Sequence, residues 1–248
     1  MASTTESGIP NLSVNFEKLI ASCIGYGAAY NPSKASLKKA SMQSLLESSV
    51  NSLATINQLL PDSTNAINQR EILFEPLSAL ITKVVNASNA SDLTNEFQAD
   101  VKSIAKKLKG VRVSPKTPAT PDDPSTPENE ATFTISSSQM SFDQRIESLF
   151  KLIKLLASQA GYAPNEPELK VTALSALHAS LVASNTAAIN ATVPVSNARI
   201  ARDKIFYSPE TGICDIAQDA KSYVKSVFGA SSPEYKQISG LEFKKRKL

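Results

Sequence analysis

The sequence predicts an all-α protein built as two tandem, homologous four-helix up-and-down bundles. Three observations lead there. Apolar residues recur at helical spacing, two long stretches match each other in order, and a Pro/Thr-rich segment separates them. The boundaries that follow are 1–112 for the first bundle, 113–140 for an acidic linker and 141–248 for the second bundle.

The match comes from sliding the chain by about 130 residues. Phe16, Leu19, Ile20 and Cys23 fall on Leu149, Leu152, Ile153 and Leu156. Tyr30-Asn-Pro32 falls on Tyr162-Ala-Pro164, and Leu37, Met42, Leu45 and Val50 fall on Leu169, Leu174, Leu177 and Val182. Ile56-Asn57, Pro61, Ser63 and Ile67 correspond to Ile189-Asn190, Pro194, Ser196 and Ile200. Lys106, Leu108 and Gly110 correspond to Lys236, Ile238 and Gly240. Order and residue class are kept throughout, while loop insertions shift the register.

Each element has its own signal. The Phe16 and Leu149 quartets, spaced 0, 3, 4, 7, mark one face of a first helix over 12–29 and 141–160. Tyr-X-Pro ends it, because the residue before proline is pushed out of the helical region. The tyrosines pack at that corner with their hydroxyls at the surface. A second helix covers 34–59 and 166–192, and Pro61 and Pro194 close it. Asn57 and Asn190 within it read as buried register-setting residues. Ser63 and Ser196 then cap a third helix, which Pro76 and Pro209 interrupt. A fourth helical region covers 92–109 in the first copy. In the second, helix resumes after Gly212, and Pro233 opens a last short one. Gly110 and Gly240 stop the units, and extended tails VRV and LEF follow. Five prolines between Pro115 and Pro127 keep the linker out of helix and sheet, and the FTIS segment at 133–136 docks on a bundle.

The stretch Tyr162-Ala-Pro-Asn-Glu and the closing VKSVFGASSPEYKQISGLEF resemble an uncharacterised family of bacterial tandem helical-bundle proteins. The resemblance implies the helical fold and a bacterial setting. It carries no activity and therefore no functional residue.

Composition narrows the function classes. The net charge of +3 divides into +2, −3 and +4 over the three segments, so no half is polarised toward nucleic acid or membrane. The N-terminus has neither a basic n-region nor an apolar h-region, and no apolar run approaches the ~20 residues of a spanning helix. The expected location is the cytoplasm. There the Asn-X-Ser/Thr triplets at Asn11, Asn86, Asn89 and Asn190 are chance matches. Cys23 and Cys214 are expected as reduced thiols.

The residues that carry chemistry are sparse. His178 is the one histidine and has no Glu-x-x-His partner, so no metal site is assigned. Walker, GxGxxG and GxSxG signatures are missing. No catalytic, cofactor-binding or metal residue is assigned, and no cofactor is expected. Basic residues close both copies: Lys106, Lys107, Lys109 and Arg112 in the first, and Lys244, Lys245, Arg246 and Lys247 in the second. They suit the negative end of a helix dipole or non-specific contact with an anion.

The expected function is a non-catalytic scaffold, interaction or self-assembly protein, with a protein partner or a further copy of itself. Two similar bundles offer two similar surfaces, which suits bivalent binding. One alternative is weak nucleic-acid or anionic-surface binding through the basic ends. Another is a small-molecule binder or enzyme with a site around His178, Asp203 and Cys214 in the second bundle.

Overall fold

A computed structural model describes residues 8–110 and 141–245. The expected linker at 113–140, the VRV tail, FTIS, Arg112, Arg246 and Lys247 lie outside the described residues. Those described are helical and include no strand. In chain order the helices are α1 Gly8–Gly25, α2 Lys39–Phe74, α3 Leu77–Asn89 and α4 Asn95–Lys109. Then come α5 Phe142–Ala157, α6 Val171–Tyr207, α7 Ile213–Phe228 and α8 Pro233–Ser239.

The helix ends follow their chemistry. Thr94, Ser141 and Ser232 cap α4, α5 and α8, each accepting a hydrogen bond from the backbone N–H three residues on. Gly110 ends α4 at φ 65°, a left-handed conformation that glycine adopts without strain. Gly240 ends α8 at φ −78°, so its expected role as a left-handed stop does not hold.

The second helix is the largest departure from the sequence expectation. Pro61 and Pro194 do not close it; each lies inside one continuous helix, α2 and α6. Each proline removes one N–H, which frees the carbonyl four residues earlier, on Asn57 and Asn190. Both asparagines are exposed, and their expected burial is corrected. Ser196 is exposed and Ser63 buried, and both are mid-helix rather than caps. Pro76 and Pro209, by contrast, do sit at breaks: α2 ends two residues before Pro76 and α6 two before Pro209.

The chain forms two compact units, and they are not the sequential halves. One unit contains residues 1–64 and 190–248, the other 65–189. The boundaries expected from the sequence lie instead at 1–112 and 141–248. The reason lies in α2 and α6: without a turn at the prolines, each long helix contributes its two ends to different units.

In the first unit, Ile9, Leu12, Phe16, Leu19, Ile20 and Cys23 of α1 form one core with Phe206 of α6, Ile213, Ala217 and Val224 of α7, and Ile238 of α8. The tail after α8 closes this core: the Phe243 ring stands edge-on to Phe16 at 6.5 Å, and Asn15 donates to the Glu242 carbonyl at 3.2 Å. Burying each Leu, Ile or Phe contributes roughly 1.5–3 kcal/mol. The α1 stripe is therefore held mainly by residues far away in sequence.

In the second unit, Leu149, Leu152, Ile153 and Leu156 of α5 pack with Phe74, Leu77, Ile81 and Val84, with Val101 and Leu108 of α4, and with Leu174 and Leu181 of α6. Arg145 is buried to 9% exposure, donates to the Phe74 carbonyl at 3.3 Å and covers the Phe74 ring. Arg70 lies 3.9 Å from the Phe142 ring centre and donates to Asn185, which donates to Asp143 at 2.7 Å. Gly161 is required here, since a Cβ would stand 2.6 Å from the Asp92 carbonyl oxygen.

Matched positions make matching contacts. Tyr30 donates to the Leu37 carbonyl at 2.9 Å, and Tyr162 to the Leu169 carbonyl at 3.0 Å. Both rings are buried. The hydroxyls therefore point inward, against the expectation of a surface position.

Cutting the chain at a protease site inserted within 113–140 tests the interleaved units. Both fragments should co-elute under native conditions at the mass of the whole 26.5 kDa chain and separate only in denaturant. Two half-sized species eluting apart would instead support sequential bundles.

Candidate interaction surface

Helix α6 carries the surface feature that stands out. From Val171 to Ala198 it has no Asp, Glu, Lys or Arg, and His178 is its one titratable side chain. Within that run, the spacing of Leu174, Leu181 and Ala188 buries one face. Val182, Ile189, Val193 and Ile200 remain 40%, 47%, 50% and 54% exposed. Val182 and Ile189 belong to the unit 65–189, and Val193 and Ile200 to the other. In each pair the seven-residue spacing places both side chains within about 20° of one line, a short apolar stripe in each unit.

Thr186 and Ser196, both exposed, fill the gaps in these stripes. An exposed helix face ordinarily carries interspersed charges, and depletion of charge is the compositional mark of an interface centre. The matched stretch of α2 differs: Ile56 is buried where Ile189 is exposed.

The sequence-predicted basic residues fall into separate groups. Lys106, Lys107 and Lys109 lie in the last turn of α4, where they face the negative end of the helix dipole. Lys109 donates to the Thr82 hydroxyl at 2.9 Å. Lys244 pairs with Glu242 at 3.1 Å, and Lys245 pairs with Asp215. That lysine, with the Glu210 N–H, holds the Asp215 carboxyl below its ordinary range. The open groove beside Lys244 and Lys245 also holds Lys18 and Glu242, so a carboxylate shares the site with the cations.

The expected polar cluster of His178, Asp203 and Cys214 is not assembled within a unit. His178 belongs to 65–189 and stacks on Phe150 with ring centres 5.3 Å apart. Asp203 and Cys214 belong to the other unit. Asp203 accepts two hydrogen bonds from Arg202, at 2.8 and 2.9 Å. Arg202 is itself buried. The Cys214 thiol is pushed up to about 11 by burial, and the neighbouring Asp215 adds to that. It is therefore a poor nucleophile at neutral pH. Among the described residues, no group of three or more His, Cys, Asp or Glu is placed to hold a metal ion.

No family model, curated protein or solved structure matches the chain. Among the described residues, no helix is long and apolar enough to cross a membrane.

Sequence reasoning matched Val182, Ile189 and Ile200 to Val50, Ile56 and Ile67 of the other repeat but did not single them out. The signal that would have singled out α6 is its long run without charge.

The buried thiols yield a direct test. Burial also pushes Cys23 up to about 11. At pH 8 both cysteines should react with a thiol reagent about a hundredfold more slowly in native protein than in denaturant. Labelling of Cys214 at the unfolded rate would reopen a nucleophilic role.

Proposed function

We propose that this chain is a non-catalytic scaffold or self-assembly protein that docks a protein partner through the exposed face of α6. The observation that carries this reading is the exposed pair Val182 and Ile189, in a stretch of α6 without charged side chains. Water gains nothing from such a face, and its burial by a partner releases roughly 25 cal/mol per Å2 of apolar area.

The duplicated sequence belongs to the same proposal. Two similar repeats offer two similar surfaces, which suits bivalent docking. A bacterial cytoplasmic setting is part of the proposal as well; two buried free thiols suit a reducing compartment. The anionic-surface alternative has less support, since Lys109, Lys244 and Lys245 already have partners.

A photo-crosslinking side chain at Val182 or Ile189, in the chain expressed in its native host, tests the docking role. Light should give one discrete protein adduct at both positions and none at Ile72, which is exposed on α2. Absence of a discrete adduct at both α6 positions would remove the proposal.

A further inference from the structure

The two units repeat one local arrangement. Buried residues recur at the spacing 0, 4, 7 and 11 in α3, at Leu77, Ile81, Val84 and Ser88, and in α7, at Ile213, Ala217, Ala220 and Val224. Against each helix packs the turn that a matched tyrosine closes, Tyr162 to Leu169 beside α3 and Tyr30 to Leu37 beside α7. An ion pair joins helix to turn in each unit, Lys83 with Glu168 at 3.7 Å and Asp219 with Lys34. In this register Lys83 takes the place of Asp219, and Ala87 that of Tyr223.

The second exchange decides whether a space is filled. The Tyr223 ring stands edge-on to Tyr30 with centres 5.3 Å apart, and its hydroxyl accepts from the Asn31 N–H at 3.2 Å. Beside α3, where the residue is Ala87, an open groove of about 700 Å3 remains, and Ala163, which matches Asn31, lines it with Ala87. The Ala163 N–H bonds to no described residue. The turn is already fixed, by the Tyr162 hydroxyl and by Gly161, which stands hard against the Asp92 carbonyl. A preformed hollow of this size with a few polar groups suits a small molecule.

Charge at the rim sets the sign of the ligand. Lys83 is committed to Glu168, and the exposed Glu166 carboxylate, which also lines the groove, has no cation among the described residues.

We infer that this groove binds a small phenolic amine. Its ring lies on Ala87 beside Tyr162, its hydroxyl oxygen accepts from the Ala163 N–H, and its ammonium pairs with Glu166. The site lies apart from the exposed face of α6 and stands whether or not that face docks a protein.

Tyramine, titrated into the full-length chain by calorimetry, is the probe. It should bind saturably with a dissociation constant of about 0.1–1 mM. Phenethylamine, which lacks the hydroxyl, and 4-hydroxyphenylpropionate, which carries an anion in place of the cation, should each bind at least about fivefold more weakly. Ala87→Tyr supplies the residue that fills the matched space, so it should abolish binding while the melting temperature stays at or above that of the parent. Glu166→Lys should reverse the preference between tyramine and 4-hydroxyphenylpropionate.

Tyramine that fails to bind at about 10 mM, or binds the folded Ala87→Tyr chain as it binds the parent, overturns the site. Should Ala87→Tyr not fold, an unchanged preference in Glu166→Lys overturns it instead. N-acetyltyrosinamide, uncharged, stands for a tyrosine side chain of a protein. If it binds more tightly than tyramine, the small amine is overturned as the ligand.

Discussion

A proline in mid-helix removes one backbone bond and crowds the preceding turn, at about 3 kcal/mol or more. The arrangement depends on α2 and α6 absorbing that loss twice, at Pro61 and Pro194. They do so where Asn57 and Asn190, which carry the freed carbonyls, are exposed and where long flanking helix is pinned at both ends by cores. A turn at either proline would let each half of the chain fold back on itself. With the turns absent, Phe16 finds Phe243, and Leu149 packs in a core with Phe74 and Val101.

Much of the local structure was legible. The quartets at Phe16 and Leu149 lie on buried helix faces, as their spacing required. Pro233 opens α8, and Gly110 stops α4 in the left-handed region. These features are set by a few neighbouring residues, which is why a single sequence displays them. The prolines misled because their effect depends on what surrounds them. The same residue type ends a helix near Pro76 and is tolerated at Pro61, and the difference lies in solvation and tertiary support rather than in the local string.

The stripe on α6 was hidden for a related reason. Helical spacing states which residues share a face; it does not state whether a neighbour covers that face. Leu174 and Leu181 are covered and Val182 and Ile189 are not, although all four belong to the same apolar-rich run. Charge was the more informative signal. A helix that meets only water gains solubility from Lys and Glu, and α6 forgoes them over the length that stays exposed. The buried hydroxyls of Tyr30 and Tyr162 were missed because their acceptors, the carbonyls of Leu37 and Leu169, sit in short turns that no periodicity marks.

The interleaving has a consequence for synthesis on the ribosome. Residues 65–189 are contiguous, so that unit has all of its parts once α6 is half made. The other unit opens with α1 and needs Phe243, 227 residues beyond Phe16. At about 5–20 residues per second, the first apolar helix waits on the order of ten seconds or more for its partners. Through that interval α1 is a nascent amphipathic segment without a core, the kind of surface that general chaperones shield.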